Sequence, residues 1–431
     1  MGRQMTYEQT IEYLYNSAPM FQQVGAAAYK EGMENSFAID AHLNHPHKHY
    51  KTIHIAGTNG KGSTSHLLAS ILQSAGYKVG LYTSPHLLDF RERIKINGQM
   101  IEESFVIDFI SEHKTFFESL QPSFFELTTG MALAYFAEKQ IDIALIEVGL
   151  GGRLDCTNVI TPILSIITNI SFDHTNLLGN TLTAIAHEKA GIIKTNIPVV
   201  IGEAAGEVKE VFENIKNQHN SDFIFAEEEN LILSAQLSDS FFLQLQTLDY
   251  PNLINELGGF AQEKNAATVL CALKILKDML TIPQEAVYQG FRYVIENTGL
   301  MGRWQIIQQN PKIILDTGHN VGGIEYIVRQ LESEQCENLH IVFGMVNDKD
   351  ISAVLQLLPK TAQYYFTNAS IPRALKADLL AEQARIFGLQ GEIYTKVADA
   401  FSSAKQNATE KDIIFVGGST FIIADVLKEI Y

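Results

Sequence analysis

Gly57-Thr58-Asn59-Gly60-Lys61-Gly62-Ser63-Thr64 follows the apolar, strand-like run Ile53-His54-Ile55-Ala56 and precedes the helical stretch Ser65-His66-Leu67-Leu68-Ala69. A strand that passes through a glycine-rich turn into a helix suits the phosphates of a nucleotide. Glycines let backbone N–H groups come close, the helix N-terminus favours anions, and one lysine meets the β and γ oxygens. Lys61 is that lysine. The spacing departs from G-x-x-x-x-G-K-[ST], because Ile55 stands where the first glycine belongs and Gly62 follows the lysine. The loop therefore reads as a shortened variant. A strand-to-helix turn with no ligand is the bland alternative, and the order of strand, loop, lysine and hydroxyls weighs against it.

Outward from this loop, apolar runs of four to eight residues alternate with helical patterns. Strands are predicted at 52–56, 78–82, 141–148, 163–168 and 198–201, the signature of a parallel sheet with crossover helices. Residues 221–248 read as short strands with polar turns, a hairpin at the edge of the domain, and 262–279 as an amphipathic helix. A second alternation predicts strands at 312–315, 339–343, 362–366 and 412–416. Glu296-Asn297-Thr298-Gly299-Leu300 carries the turn residues of a linker, which divides the chain into domains 1–297 and 298–431. The expected fold is α/β: a three-layer P-loop ATPase domain followed by a smaller Rossmann-like domain.

Length and composition fit this division, since 431 residues exceed what one compact core accommodates. Hydrophobic residues make up 46% and mean hydropathy is +0.01, values of a soluble globular protein. A net charge of −17 argues against nucleic acid or an anionic membrane as the main partner. Cys156, Cys271 and Cys336 are odd in number and far apart, which suggests neither a disulfide framework nor a zinc site and fits a reducing cytoplasm. The polar start Met1-Gly2-Arg3-Gln4-Met5-Thr6 lacks the apolar core of a signal peptide.

Other candidate residues cluster at predicted strand ends, where open parallel sheets collect their ligands. Glu147 closes the strand Ile141-Asp142-Ile143-Ala144-Leu145-Ile146, and a lone acid beside a phosphate loop is a natural magnesium ligand. His174, in Asp173-His174-Thr175-Asn176, either ligates a metal or caps its loop. Lys189 falls on the face marked by Leu182, Ile185, Ala186 and Ile193, and a lysine facing inward needs an anionic partner or a chemical modification, unless its ammonium snorkels to water. Asp316 ends a strand before Thr317-Gly318-His319-Asn320, and Arg303 in Gly302-Arg303-Trp304 is placed to reach phosphates on domain closure; Trp304 reads as a core or interface anchor. Ser123-Phe124-Phe125-Glu126 is a capping box that opens a helix.

The ordered set of 54–64, Thr83-Ser84-Pro85-His86-Leu87, Phe90-Arg91-Glu92-Arg93-Ile94, 147–158, 173–193 and 315–320 resembles the folylpolyglutamate synthase and dihydrofolate synthase family, a branch of the Mur ligases. The resemblance runs from about residue 20 to the C-terminus. It implies that Asn59, Gly60, Lys61, Gly62 and Ser63 hold the ATP phosphates, with Asn265, Arg303 and Asp316 completing the ATP site. It implies that Ser84, Glu147 and His174 ligate magnesium and that Lys189 is carbamylated to serve a second magnesium; Lys61, Lys189 and His174 are then the catalytic set. Ser123, Phe124, Phe125, Glu126, Leu154, Asp155 and Cys156 resemble the pterin site, with Phe125 as ring contact and Asp155 as hydrogen-bond acceptor. Ala261, Met301 and Val321 depart from the family's usual histidine and two prolines.

The activity implied is ATP-driven joining of L-glutamate to dihydropteroate, to folate, or to both, through an acyl phosphate, by a cytoplasmic monomer with Mg2+. Asp155 together with Phe125 favours both acceptors. The rivals are the same fold acting on a cell-wall precursor, a P-loop ATPase switch without ligase activity, and a folate-binding protein that has lost catalysis.

Overall fold

The structure, a computed structural model, describes residues 5–17, 32–238, 242–347 and 349–431. Met1–Gln4 and the start of the family resemblance near residue 20 lie outside these. The chain divides into two compact units: one of residues 1–170, 175–256 and 262–299, the other of 171–174, 257–261 and 300–431. Two short segments far from position 300 thus belong with the C-terminal unit.

The first unit is built on an eight-stranded sheet. Its strands are β1 (Lys51–Ala56), β2 (Val79–Tyr82), β3 (Ile94–Ile96), β4 (Gln99–Met100), β5 (Ile143–Glu147), β6 (Leu164–Asn169), β7 (Val199–Glu203) and β8 (Phe223–Phe225). They lie in the order β4-β3-β2-β5-β1-β6-β7-β8, parallel except for the β3–β4 edge. The central strands β5 and β1 are buried over all or nearly all their length, which is why they read as unbroken apolar runs. The helix Phe124–Glu138 packs Leu127, Met131 and Phe136 into one core, and the helices Leu182–Ala190 and Gly206–His219 pack Ala186 and Phe212 into another. Because β1, β5 and β6 are adjacent and parallel, their C-terminal ends meet at one edge of this sheet.

Several predicted boundaries shift. β5 starts at Ile143, because the Ile141 amide still donates to Phe136 O at the end of the preceding helix and Asp142 accepts the Lys78 amide at 2.7 Å. The helix predicted over 262–279 runs Ala261–Leu276. Within 221–248 the expected short strands are present: β9 (Ile232–Leu237) pairs antiparallel with β10 (Leu243–Thr247), which also pairs with β11 (Leu253–Asn255) in a separate sheet, while β8 joins the main one. The stretch read as a linker carries more regular structure than its turn residues suggest. Val294–Thr298 is helical and ends at Gly299, whose φ of +67° supplies the left-handed C-terminal turn.

The second unit holds a six-stranded sheet of β12 (Gln305–Gln309), β13 (Lys312–Leu315), β14 (Leu339–Phe343), β15 (Gln363–Phe366), β16 (Gly391–Ile393) and β17 (Ile413–Gly417). The order is β12-β13-β17-β14-β15-β16, with only β12 antiparallel. Each of β13, β14, β15 and β17 is followed by a helix, and Trp304, Ile314, Phe343 and Phe415 meet in its core.

Candidate active site

The loop after β1 has the backbone its glycines permit. Gly57 (φ +144°) and Gly60 (φ +84°) both lie in the left-handed region. A side chain at Gly60 would meet Asn265 Oδ1 at 2.2 Å, so Asn265 from the helix Ala261–Leu276 sits directly against the loop. Lys61 opens the helix Lys61–Ser74 and folds back, donating from Nζ to the carbonyls of Gly57 (3.0 Å) and Thr58 (3.2 Å). Just inside the helix, the hydroxyls of Ser63 and Thr64 are buried without a hydrogen-bond partner. Buried hydroxyls are normally paired, and here both lie in the first turn of the helix that faces the loop.

The end of β6 shapes the same loop. The Thr58 amide donates to the Asn169 carbonyl (3.0 Å) and the Asn59 amide to Asn169 Oδ1 (2.9 Å), while the Thr168 hydroxyl donates to the Asn59 carbonyl at 2.5 Å. Lys189 projects inward from its helix, as its spacing predicts, and is 5% exposed. Its ammonium donates to Gly57 O at 3.0 Å, so two lysines share one loop carbonyl. Ile193, expected on the same helical face, lies beyond the helix end at Ala190.

Glu147 is the last residue of β5, pairs in register with Ile55, and is 4% exposed. Its Oε2 accepts the Ser84 amide at 3.1 Å, which joins two of the expected magnesium ligands. The loop that carries Ser84 is shaped by Glu92, whose carboxylate accepts the amides of Leu87, Leu88 and Asp89 at 2.7–2.8 Å. Among the described residues no three His, Cys, Asp or Glu side chains form a ready-made metal cage. The hydroxyl and carboxylate oxygens present fit magnesium, which keeps several waters and takes its other ligands from one or two carboxylates and substrate phosphates.

The segments expected to hold the pterin lie in the same unit. Ser123 and Glu126 form the expected capping box, with the Ser123 amide donating to Glu126 Oε2 at 2.6 Å and the Glu126 amide to Ser123 Oγ at 3.2 Å. Phe124 is buried in the core. Phe125 is half-buried, 5.8 Å from the Tyr82 ring, and a side chain at Gly149 would strike it. Leu154 is half-buried, and Asp155 and Cys156 are buried. Asp155 accepts the Leu150 amide at 2.9 Å, the Thr157 amide at 3.0 Å and the Thr157 hydroxyl. Burial raises its carboxyl pKa against these donors. The Thr157 oxygen also lies 2.9 Å from Nε2 of the fully buried His54. Since the Thr157 proton goes to Asp155, His54 is the donor in that pair. Burial pushes its pKa down to about 3, which keeps the ring neutral.

Within the second unit, His174 (φ +49°) follows Asp173, whose carboxylate meets Lys349 Nζ at 2.5 Å, Asn320 Nδ2 at 3.0 Å and His319 Nε2 at 3.5 Å. Burial opposes the Asp173 charge, but the His319 hydrogen bond and the Lys349 and His174 charges hold its pKa well below the usual carboxylate range. Arg303 Nη1 donates to the Thr317 hydroxyl and to Gly302 O, while Asp316 accepts the amides of Trp304 and Gly318 at 2.8 Å each. Trp304 is a buried core residue, as expected.

Lys349, Glu92, Thr157 with His54, and Thr168 with Asn169 were not singled out by sequence. Each acts across a turn or a long sequence separation.

The Mur ligase middle domain family matches residues 55–255, and the Mur ligase glutamate ligase domain family matches 302–420. The chain is 32% identical over 415 residues to a dihydrofolate synthase/folylpolyglutamate synthase of Bacillus subtilis, covering 93% of this chain and 95% of that one. Two solved structures are similar along nearly the whole length. Escherichia coli FolC in complex with DHPP and ADP has a TM-score of 0.84 at 30% identity, with 99% and 98% of the two chains covered. The bifunctional folylpolyglutamate synthase/dihydrofolate synthase of Yersinia pestis, complexed with AMPPNP and Mn ion, has a TM-score of 0.82 at 29% identity over 99% and 98%.

Proposed function

Because the chain belongs to the dihydrofolate synthase/folylpolyglutamate synthase family of Mur ligases, we propose that its phosphate loop and acceptor segments join L-glutamate to both dihydropteroate and reduced folates. The chain is an ATP-dependent acid–amino-acid ligase. The observation that carries the finer assignment is the placement of Phe125, Asp155 and the phosphate loop around the C-terminal ends of β1 and β5 in one unit.

Lys61 releases its two loop carbonyls and turns to the β and γ oxygens when nucleotide enters, while the amides at the start of the helix Lys61–Ser74 take the phosphates. Phe125 and the Asp155 loop hold the pterin so that the acceptor carboxylate lines up with the γ-phosphate. The carboxylate oxygen attacks phosphorus, the bond to ADP breaks, and an acyl phosphate forms. The glutamate amine then attacks the acyl carbon and phosphate leaves. Magnesium, held by Glu147 and the Ser84 loop with water and phosphate oxygens, supplies charge neutralisation when bound. Lys189 is assigned as a carbamylated residue, supported by its burial and inward aim beside Gly57.

A monomer is the expected state, since all assigned residues lie in one chain, and the three free cysteines fit a reducing cytoplasm. Acceptor labelled with 18O in its carboxylate tests the chemistry. Glutamylated product with one label in the released phosphate is the expected outcome; unlabelled phosphate excludes the acyl phosphate, and no glutamylated product excludes the ligase.

A further inference from the structure

We infer that Asn169 is the positioning residue of the phosphate loop and that Glu203 sets the orientation of its amide. In an ordinary phosphate loop the successive backbone amides point at the ligand. Here the amides of Thr58 and Asn59 are taken by the carbonyl and side chain of Asn169, at 3.0 and 2.9 Å. The phosphates are therefore left to the backbone from Gly60 onward and to Lys61, and Asn169 decides where that stretch sits.

The orientation of the Asn169 amide follows from its two partners. Oδ1 faces a backbone N–H, which only an acceptor can satisfy, and Nδ2 faces Glu203 Oε1 at 3.3 Å, which requires a donor. Glu203 ends β7, directly opposite Asn169 in the β6–β7 register, so the pair is fixed by the sheet and not by a flexible loop. The neighbouring Thr168 hydroxyl holds the carbonyl of the same Asn59. Together β6 and β7 clamp residue 59 from both of its peptide groups.

The inference rests on the proposed nucleotide site and is tested by calorimetric titration with MgADP and with AMP. Asn169→Asp puts a carboxylate against Glu203 and is expected to weaken MgADP binding about tenfold or more, while AMP, which lacks the β-phosphate, changes less than about twofold. The double variant Asn169→Asp/Glu203→Gln keeps an acceptor for the Asn59 amide and restores the side-chain pair with donor and acceptor exchanged, because the introduced glutamine amide then donates to the introduced carboxylate. Its MgADP affinity should return to within about threefold of the parent. A fold defect alone would weaken MgADP and AMP alike. Wild-type protein that fails to bind MgADP would overturn the nucleotide site itself. Wild-type binding with Asn169→Asp unchanged, or with no rescue in the double variant, would overturn the role of Asn169.

Discussion

At the scale of single residues, two groups carry sharp consequences. Lys61→Ala removes the only loop lysine that the sequence supplies for the β and γ oxygens, and ligation should fall by at least about 100-fold with the thermal midpoint little changed. Near-normal turnover in a steady-state assay would contradict the assignment. His54 is buried neutral, with its pKa lowered from the ordinary 6.5 to about 3. The unfolded chain takes up a proton below pH 6.5 that the folded protein refuses, so this contribution is complete above pH 6.5 and declines as pH falls toward 3, by up to ~1.4 kcal/mol per pH unit. His54→Gln lacks that decline. The stability gap between wild type and His54→Gln, measured by urea unfolding, should therefore narrow from pH 7 to pH 5; a constant gap would mean that His54 is not held neutral.

Much of this scale was legible beforehand. Lys189 was placed on an inner face by the spacing of Leu182, Ile185, Ala186 and Ile193, and it is buried rather than snorkelled to water. Its partner was not legible, because Gly57 lies 132 positions away and a backbone carbonyl leaves no mark on the sequence. The roles of Asn169 and Thr168 were not legible for the same reason: both hold main-chain groups of another loop. Asp155 was found only through the family resemblance, and the His54–Thr157 pair behind it has no local signature.

Among the elements, the central parallel strands were found because burial on both faces makes them continuous apolar runs. The short strands β3, β4, β11 and β16 were missed, as runs of two or three residues carry no period. That 294–298 is helical, although turn-forming residues stand there, has a definite cause. Asn297, Thr298 and Gly299 read as turn formers, but Thr298 and Asn297 are spent on tertiary contacts: His66 Nδ1 meets Thr298 Oγ1 at 2.7 Å and Asn297 Nδ2 donates to Ser70 Oγ at 2.9 Å, both on the helix that begins at Lys61. The buried Lys95 completes the anchor by donating to the Thr298 carbonyl at 2.9 Å, where a cation also complements the helix C-terminus. Lys95→Met should lower unfolding free energy by about 1–2 kcal/mol in urea titration. An unchanged midpoint would show that the short helix holds without this cap.

For the whole molecule, the separation into an ATPase unit and a smaller α/β unit could be read from two alternations of strand and helix. The regrouping of 171–174 and 257–261 could not, since short segments without regular structure reveal their unit only through packing. The net charge of −17 leaves anionic substrates to be held by local groups such as Lys61 and not by a general field.

The most direct measurement is phosphate release from MgATP with L-glutamate present, comparing dihydropteroate, tetrahydrofolate and no acceptor, with the products weighed by mass spectrometry. The expected result is acceptor-dependent phosphate release and a gain of one glutamate mass on both pterins. Phosphate release indifferent to pterin and glutamate, with no product, would contradict the ligase and point to an ATPase switch.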